Sequence, residues 1–154
     1  MSSRERIDDF LSQKRLALVG VSANWKDFSR LLFREFCQRG YDMVPVNPNL
    51  FEVEGRACYA RIQDVRPPVD GVLLMTSPSV TEQVVRDCAE AGVGRVWMYR
   101  GAGQGAVSPS AIAFCDAKNI RVVPGECPFM FFADAGFLHR AHGFIRQLTG
   151  TLPR

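Results

Sequence analysis

The sequence predicts an open, doubly wound α/β sheet of about five parallel strands with helices on both faces, and two stretches carry most of that expectation. The first is Leu16-Ala17-Leu18-Val19-Gly20-Val21-Ser22-Ala23-Asn24, an apolar strand that ends in glycine and runs into a loop of small residues. The second is Asp42-Met43-Val44-Pro45-Val46-Asn47-Pro48, another apolar strand beyond an intervening helical pattern. Strand, small-residue loop, amphipathic helix and strand make the first βαβ unit of a nucleotide-binding sheet. The loop departs from a dinucleotide fingerprint. In place of G-x-G-x-x-G it reads Gly20-Val21-Ser22-Ala23-Asn24-Trp25, keeping only the glycine that permits the tight turn. The acid that would grip the ribose hydroxyls at the end of the second strand is replaced by Asn47. The fold signal is strong and the NAD signal weak.

The elements follow in order. The first strand runs from Arg15 to Gly20 and the first helix from about Phe28 to Arg39, with Leu31, Leu32, Phe36 and Phe33 as its apolar side, closed by Gly40. The second strand is Asp42 to Val46. Phe51 to Val65 reads as an ordered surface excursion, with Glu54-Gly55 as a turn and Arg56 to Tyr59 extended, ending at Pro67-Pro68. Asp70 to Met75 is nearly continuous apolar sequence, as a parallel strand covered on both faces requires. Thr76-Ser77-Pro78-Ser79 opens a second helix, about Val80 to Ala91, and the fourth strand is Arg95 to Met98. After the glycine-rich loop Arg100 to Val107, Ser108-Pro109 supplies an N-cap and a first-turn proline for a helix to about Lys118. The fifth strand is Ile120 to Val123, and a last helix covers about Ala135 to Thr149 after Gly125-Glu126-Cys127-Pro128.

Composition sets the bounds. A chain of 154 residues, 47% hydrophobic and 23% charged, can hide about two thirds of its unfolded surface in a single core. One domain is expected. The net charge is +3 and the basic residues are scattered, so the cationic stripe that tracks a nucleic-acid backbone is missing while a small anionic ligand suits the chain. Met1 to Leu11 carries charges throughout, and no later run reaches the roughly 18 apolar residues of a membrane span. A soluble, cytoplasmic protein is expected. The five cysteines form no C-x-x-C pair and read as free thiols, with Cys58, Cys88 and Cys115 packed against the sheet.

Ligands of such sheets lie at the carboxyl ends of the strands, which nominates four loops. In the first, Ser22 and Asn24 offer side-chain donors, and the free amides opening the next helix face the same space, with Lys26 and Arg30 alongside for a phosphate. Alternatively Ser22 and Asn24 shape a turn and the cations are solvated. Pro45-Val46-Asn47-Pro48 is stiff enough to seat a flat base, or simply ends a strand. Thr76 to Ser79 fits a ligand contact or a helix cap. Arg100-Gly101-Ala102-Gly103-Gln104-Gly105 has a phosphate cradle's composition but lacks the P-loop glycine spacing and its Lys-Ser/Thr pair, which argues against kinase or ATPase chemistry. His139 and His142 share a helix face, with Glu126 and Cys127 upstream, yet complete no convincing metal set. No G-x-S-x-G elbow or paired-carboxylate arrangement names a nucleophile.

Val19-Gly20-Val21-Ser22-Ala23-Asn24, Phe28-Ser29-Arg30, Arg39-Gly40-Tyr41, Val44-Pro45-Val46-Asn47-Pro48, Gly55-Arg56-Ala57-Cys58-Tyr59 and Gly125-Glu126-Cys127-Pro128 occur in that order. This succession resembles the stand-alone coenzyme A (CoA)-binding domain proteins, which are similar to the N-terminal domain of the succinyl-CoA synthetase α subunit. The resemblance covers about residues 14 to 150. It implies a Rossmann-like domain that holds CoA or an acyl-CoA, with the pyrophosphate over Gly20, Val21, Ser22, Ala23 and Asn24 and beside Ser29. The adenosine would lie near Pro45, Val46, Asn47 and Pro48, with further contacts from Met75, Thr76, Ser77 and Pro78 and from Tyr99, Arg100 and Gly101. Many relatives carry lysine after the Asn-Pro pair, where this chain has Asn49; Lys26 and Arg30 stand in as partners of the 3′-phosphate. The synthetase's phosphohistidine domain and nucleotide-grasp subunit have no counterpart in this length, so ligase activity is expected to be absent. A non-catalytic CoA module, with a small-molecule ligand and neither nucleic acid nor membrane as partner, is the leading expectation. The alternatives are an NAD(P)-dependent oxidoreductase and a ligand-free interaction subunit.

Overall fold

The computed structural model describes residues 1–132. Helix α1 (Ser3–Leu11) leads into β1 (Arg15–Val19), α2 (Phe28–Gln38) and β2 (Asp42–Val46). A hairpin of β3 (Glu52–Val53) and β4 (Arg56–Ala57) and a short 3₁₀ turn (Ile62–Asp64) precede β5 (Gly71–Leu74), α3 (Pro78–Glu90) and β6 (Arg95–Met98). Then come α4 (Pro109–Ala117), β7 (Arg121–Pro124) and a second 3₁₀ turn (Pro128–Phe131). Five strands form a sheet in the order β2-β1-β5-β6-β7, every pair parallel. This is the doubly wound α/β architecture that the strand pattern predicts.

Alternation along each strand divides the core between the two faces. Leu16 and Leu18 of β1 pack with Phe10 of α1 and with Leu32, Phe33 and Phe36 of α2. Ala17 and Val19 face the other way, among Val85 and Cys88 of α3 and Cys115 of α4. Both sides of a central parallel strand are therefore covered by helix, which accounts for the unbroken apolar run from Leu16 to Val19.

Three features differ from the expectation. Helix α1 has no place in the sequence reading. Ser2 and Glu5 close a reciprocal capping box at its start, and Phe10 meets Trp97 edge-on at 5.3 Å between ring centroids. Gly71 leaves the room for that contact, since a Cβ there would lie 2.9 Å from the Phe10 ring. Leu31 is 46% exposed: the buried row of α2 is Ser29, Leu32, Phe33 and Phe36, a helical stripe from which position 31 is rotated away. The excursion between β2 and β5 is as expected: β3 and β4 pair as a hairpin that turns at Glu54-Gly55, and the short 3₁₀ turn follows. Cys88 and Cys115 are fully buried as expected, but Cys58 is only half-buried, because it follows the hairpin at the sheet's margin, where its thiol donates to the Asn47 carbonyl at 3.6 Å. Burial raises the pKa of both core thiols, that of Cys115 to about 11. The helix expected at about 135 to 149, with His139 and His142, lies outside the described residues.

Candidate functional site

The strand order reverses between β1 and β5, so the chain leaves their carboxyl ends in opposite directions and opens a crevice there. Gly20 and Met75 form its floor. Gly20 has φ +96°, and a Cβ at that position would stand 2.4 Å from the Met75 carbonyl oxygen and 3.2 Å from the Thr76 methyl. Only glycine satisfies both the left-handed backbone and this approach.

The loop from β1 to α2 is built from its own polar groups. The Ser22 N–H donates to Ser29 Oγ at 2.9 Å, and Ser29 Oγ donates to the Asp27 carboxylate at 2.6 Å. Ser22 Oγ accepts the Asn24 N–H, and Asn24 Oδ1 accepts the Lys26 N–H, each at 3.0 Å. These Asx- and ST-type turns leave the Ala23 and Trp25 N–H groups without hydrogen-bond partners among the described residues. The expectation that the amides opening α2 are free needs correcting. Asp27 is the N-cap and its carboxylate accepts the Ser29 N–H. Those hydrogen bonds from the Ser29 side chain and backbone lower the Asp27 pKa.

Across the crevice, α3 begins differently. Ser77 at its N-cap makes no side-chain capping bond, Pro78 contributes no donor, and the first turn holds no acid. The Ser79 and Val80 N–H groups have no partner among the described residues. Thr76 Oγ1 is turned instead to Thr81 Oγ1 at 2.7 Å. The positive end of the α3 dipole is therefore open toward the Gly20 turn.

Arg30 has a defined position. Its Nη1 donates to the Ser22 and Ala23 carbonyls at 3.2 and 3.3 Å, while Nε and Nη2 hold Glu54 Oε2 at 3.0 and 2.7 Å. Arg34, which the sequence reading did not single out, donates from Nη1 to the same Glu54 oxygen at 3.0 Å and to the Trp25 carbonyl at 3.1 Å. Burial pushes the Glu54 carboxyl up, but hydrogen bonds and charge from the two arginines outweigh it and leave the pKa below the usual value. Lys26 stays at the loop surface, its Nζ 5.5 Å from the Trp25 ring centroid. No local sequence signal reaches Glu54, which lies 24 and 20 positions from its partners.

Asn47 braces the site: its side-chain amide donates to the Val21 carbonyl at 2.8 Å and its Oδ1 accepts the Asn49 N–H at 2.7 Å. Pro45 continues β2, its carbonyl accepting the Tyr59 N–H at 3.0 Å. Val46 is buried, so the Pro45 to Pro48 turn is fixed on both sides. The Tyr99 to Gly101 segment stands further along the sheet. Tyr99 reaches the start of α2 through Phe28, 5.7 Å between ring centroids, and folds over Gly101, where a Cβ would lie 2.5 Å from its hydroxyl. Burial, and then the Cys127 thiol, raise its pKa. Beyond it a cavity of about 360 Å³ is lined by Arg100, Gly101, Gly125, Glu126, Cys127 and Met130 among others. Among the described residues no cluster of three or more His, Cys, Asp or Glu side chains could hold a metal, and no helix is long and apolar enough to cross a membrane.

A parallel sheet with this order, a glycine turn at its switch point and an open helix end beside it defines a Rossmann-like nucleotide-binding domain. More narrowly, the chain belongs to the CoA binding domain family, which it matches over residues 14–133. It is 25% identical over 126 residues to YneT of Bacillus subtilis, covering 81% of this chain and 90% of YneT. A hypothetical protein from Pyrococcus horikoshii superimposes with a TM-score of 0.76 at 26% identity, over 84% of this chain and 89% of that one. The fold also recurs in a dinucleotide-forming acetyl-coenzyme A synthetase of Candidatus Korarchaeum cryptofilum, at a TM-score of 0.62 and 22% identity. There it corresponds to 71% of this chain and a quarter (25%) of the synthetase.

Proposed function

We propose that this chain holds coenzyme A or an acyl-CoA across the β1/β5 crevice and carries out no chemistry on it alone, acting as a sensor, carrier or regulatory module. The observation that carries this reading is the pairing of the Gly20 turn with the uncapped start of α3, in a chain of the CoA binding domain family. The pyrophosphate lies between the Ala23 and Trp25 amides and the Ser79 and Val80 amides, where two sets of unpaired donors converge on an anion. The adenosine rests toward Pro45 to Pro48 and the pantetheine arm runs past Phe28 toward Tyr99 and Gly101. Asn47 supports CoA over NAD, because an amide already committed to Val21 and Asn49 offers no carboxylate to a ribose diol.

Titration calorimetry with CoA, acetyl-CoA, NAD and NADP tests the reading. Saturable binding of the first two and none of the last two is expected; preference for NAD or NADP overturns it. Incubation with CoA, succinate and labelled ATP or GTP tests the absence of chemistry. Thioester above a no-protein control makes the chain an enzyme.

A further inference from the structure

We infer that Glu54 occupies, in the free protein, the seat of the ligand's 3′-phosphate, and that Arg30 and Arg34 receive that phosphate when Glu54 swings away. The inference rests on the CoA reading above and adds a device that decides between CoA and its dephospho form.

The geometry begins with Arg30. One edge of its guanidinium is anchored on the loop that borders the crevice, Nη1 bridging the Ser22 and Ala23 carbonyls. The opposite edge, Nε with Nη2, is a two-pronged fork fixed in direction by that anchorage, and it closes on Glu54 Oε2. Arg34 adds a third donor to the same oxygen. Such a fork matches a phosphate as well as a carboxylate. Two guanidinium charges meet one carboxylate here, with Lys26 at the surface of the same loop, so the cluster is cationic as it stands. A phosphate brings about 1.5 to 2 negative charges and three acceptor oxygens, which neutralises the pair more fully than Glu54 can.

Glu54 is also the movable partner. It occupies the turn of the β3–β4 hairpin, whose strands are two residues each, and holds φ +52° without being glycine, a left-handed backbone state that is strained for a residue with a Cβ. Arg30 and Arg34 sit one turn apart on α2, within an eleven-residue helix packed on the sheet (11 residues). The carboxylate can therefore leave while the fork stays. The segment that carries Glu54 follows directly from the Pro45 to Pro48 turn, which puts the fork on the adenosine side of the crevice.

The test compares CoA with dephospho-CoA, which differ only in that phosphate, on the wild-type chain, Glu54→Gln and Arg34→Ala. For Glu54→Gln the affinity for CoA rises severalfold and that for dephospho-CoA is unaltered. For Arg34→Ala the preference for CoA falls about tenfold, the effect of one charge-assisted hydrogen bond. Thermal melts establish that both variants are folded, and Glu54→Gln, which removes a charge and keeps the shape, carries the test if Arg34→Ala is not. Equal preference ratios in wild type and Glu54→Gln overturn the inference while leaving CoA binding intact. Failure of the wild type to bind either compound overturns the CoA reading itself, and the inference with it.

Discussion

Two helices begin on either side of the same crevice, and they treat their exposed amides in opposite ways. At α2 the Asp27 carboxylate caps the Ser29 N–H, and the preceding loop spends most of its polar atoms on itself. At α3 the N-cap Ser77 turns away from that task and the next two amides stay open. A helix start left uncapped forgoes about 1 kcal/mol. The difference teaches where an anion is welcome: the dipole of α2 is already answered by a side chain, whereas that of α3 is answered by nothing in the described chain. The β1–α2 loop offers two loop amides, Ala23 and Trp25, without a helix dipole behind them, whereas the start of α3 offers its amides with the dipole unanswered.

The most severe way to break this arrangement is to close the gap between the two loops. In Gly20→Val the left-handed backbone costs about 1–2 kcal/mol, and the clash with the Met75 carbonyl adds about 1–3 kcal/mol. A loss of about 3 kcal/mol in urea unfolding and loss of CoA binding by calorimetry are expected. Wild-type affinity in a folded Gly20→Val protein would mean that the ligand does not use the switch point.

Making α3 resemble α2 sharpens the comparison. Ser77→Asp supplies the missing cap and should stabilise the fold by about 0.5–1 kcal/mol. The same carboxylate occupies the open amides and repels the pyrophosphate, so CoA affinity should fall by about tenfold or more. Stability and binding then move in opposite directions, which a general loss of structure cannot produce. A variant that is stabilised and binds as tightly as before removes α3 from the site.

The two loops were not equally legible in the sequence. The floor of the crevice was: an apolar strand that ends in Gly20 before small residues has few other uses, and the run Val72 to Leu74 can only be a strand covered on both sides. The doubly wound parallel sheet followed from the alternation of elements, whereas the strand order β2-β1-β5-β6-β7 is set by tertiary packing that no local pattern spells out. Asp27 was equally present as an acid just before a helical run, two positions from Ser29, yet the free-amide rule for helix starts hid its capping role. Helix α1 escaped because its apolar residues, Ile7, Phe10 and Leu11, are few and embedded in charge, although Ser2 and Glu5 spelled its capping box. The Arg30–Glu54–Arg34 cluster was not readable at all. Its carboxylate comes from a different connection, and only the folded chain brings the hairpin turn beside α2.

The gentlest change acts on the other side of the comparison. Asparagine caps helices about as well as aspartate, so Asp27→Asn should alter stability by less than about 1 kcal/mol near neutral pH while removing a negative charge from the crevice. CoA affinity is expected to rise by about two- to threefold, on the scale of a screened surface charge. Acid separates the variant from the wild type more clearly. The Asp27 pKa in the folded chain lies below its ordinary value because the Ser29 side chain and backbone hydrogen-bond the charged form. Its contribution to stability is therefore complete above the unfolded value of about 3.9 and fades as the pH falls through the lower folded value. Melting temperatures followed from about pH 5 to about pH 3 should drop more steeply for the wild type than for Asp27→Asn, the other carboxylates titrating alike in both. Parallel curves would show that the Asp27 cap contributes no charge-dependent stability, and the contrast between the two helix starts would then rest on α3 alone.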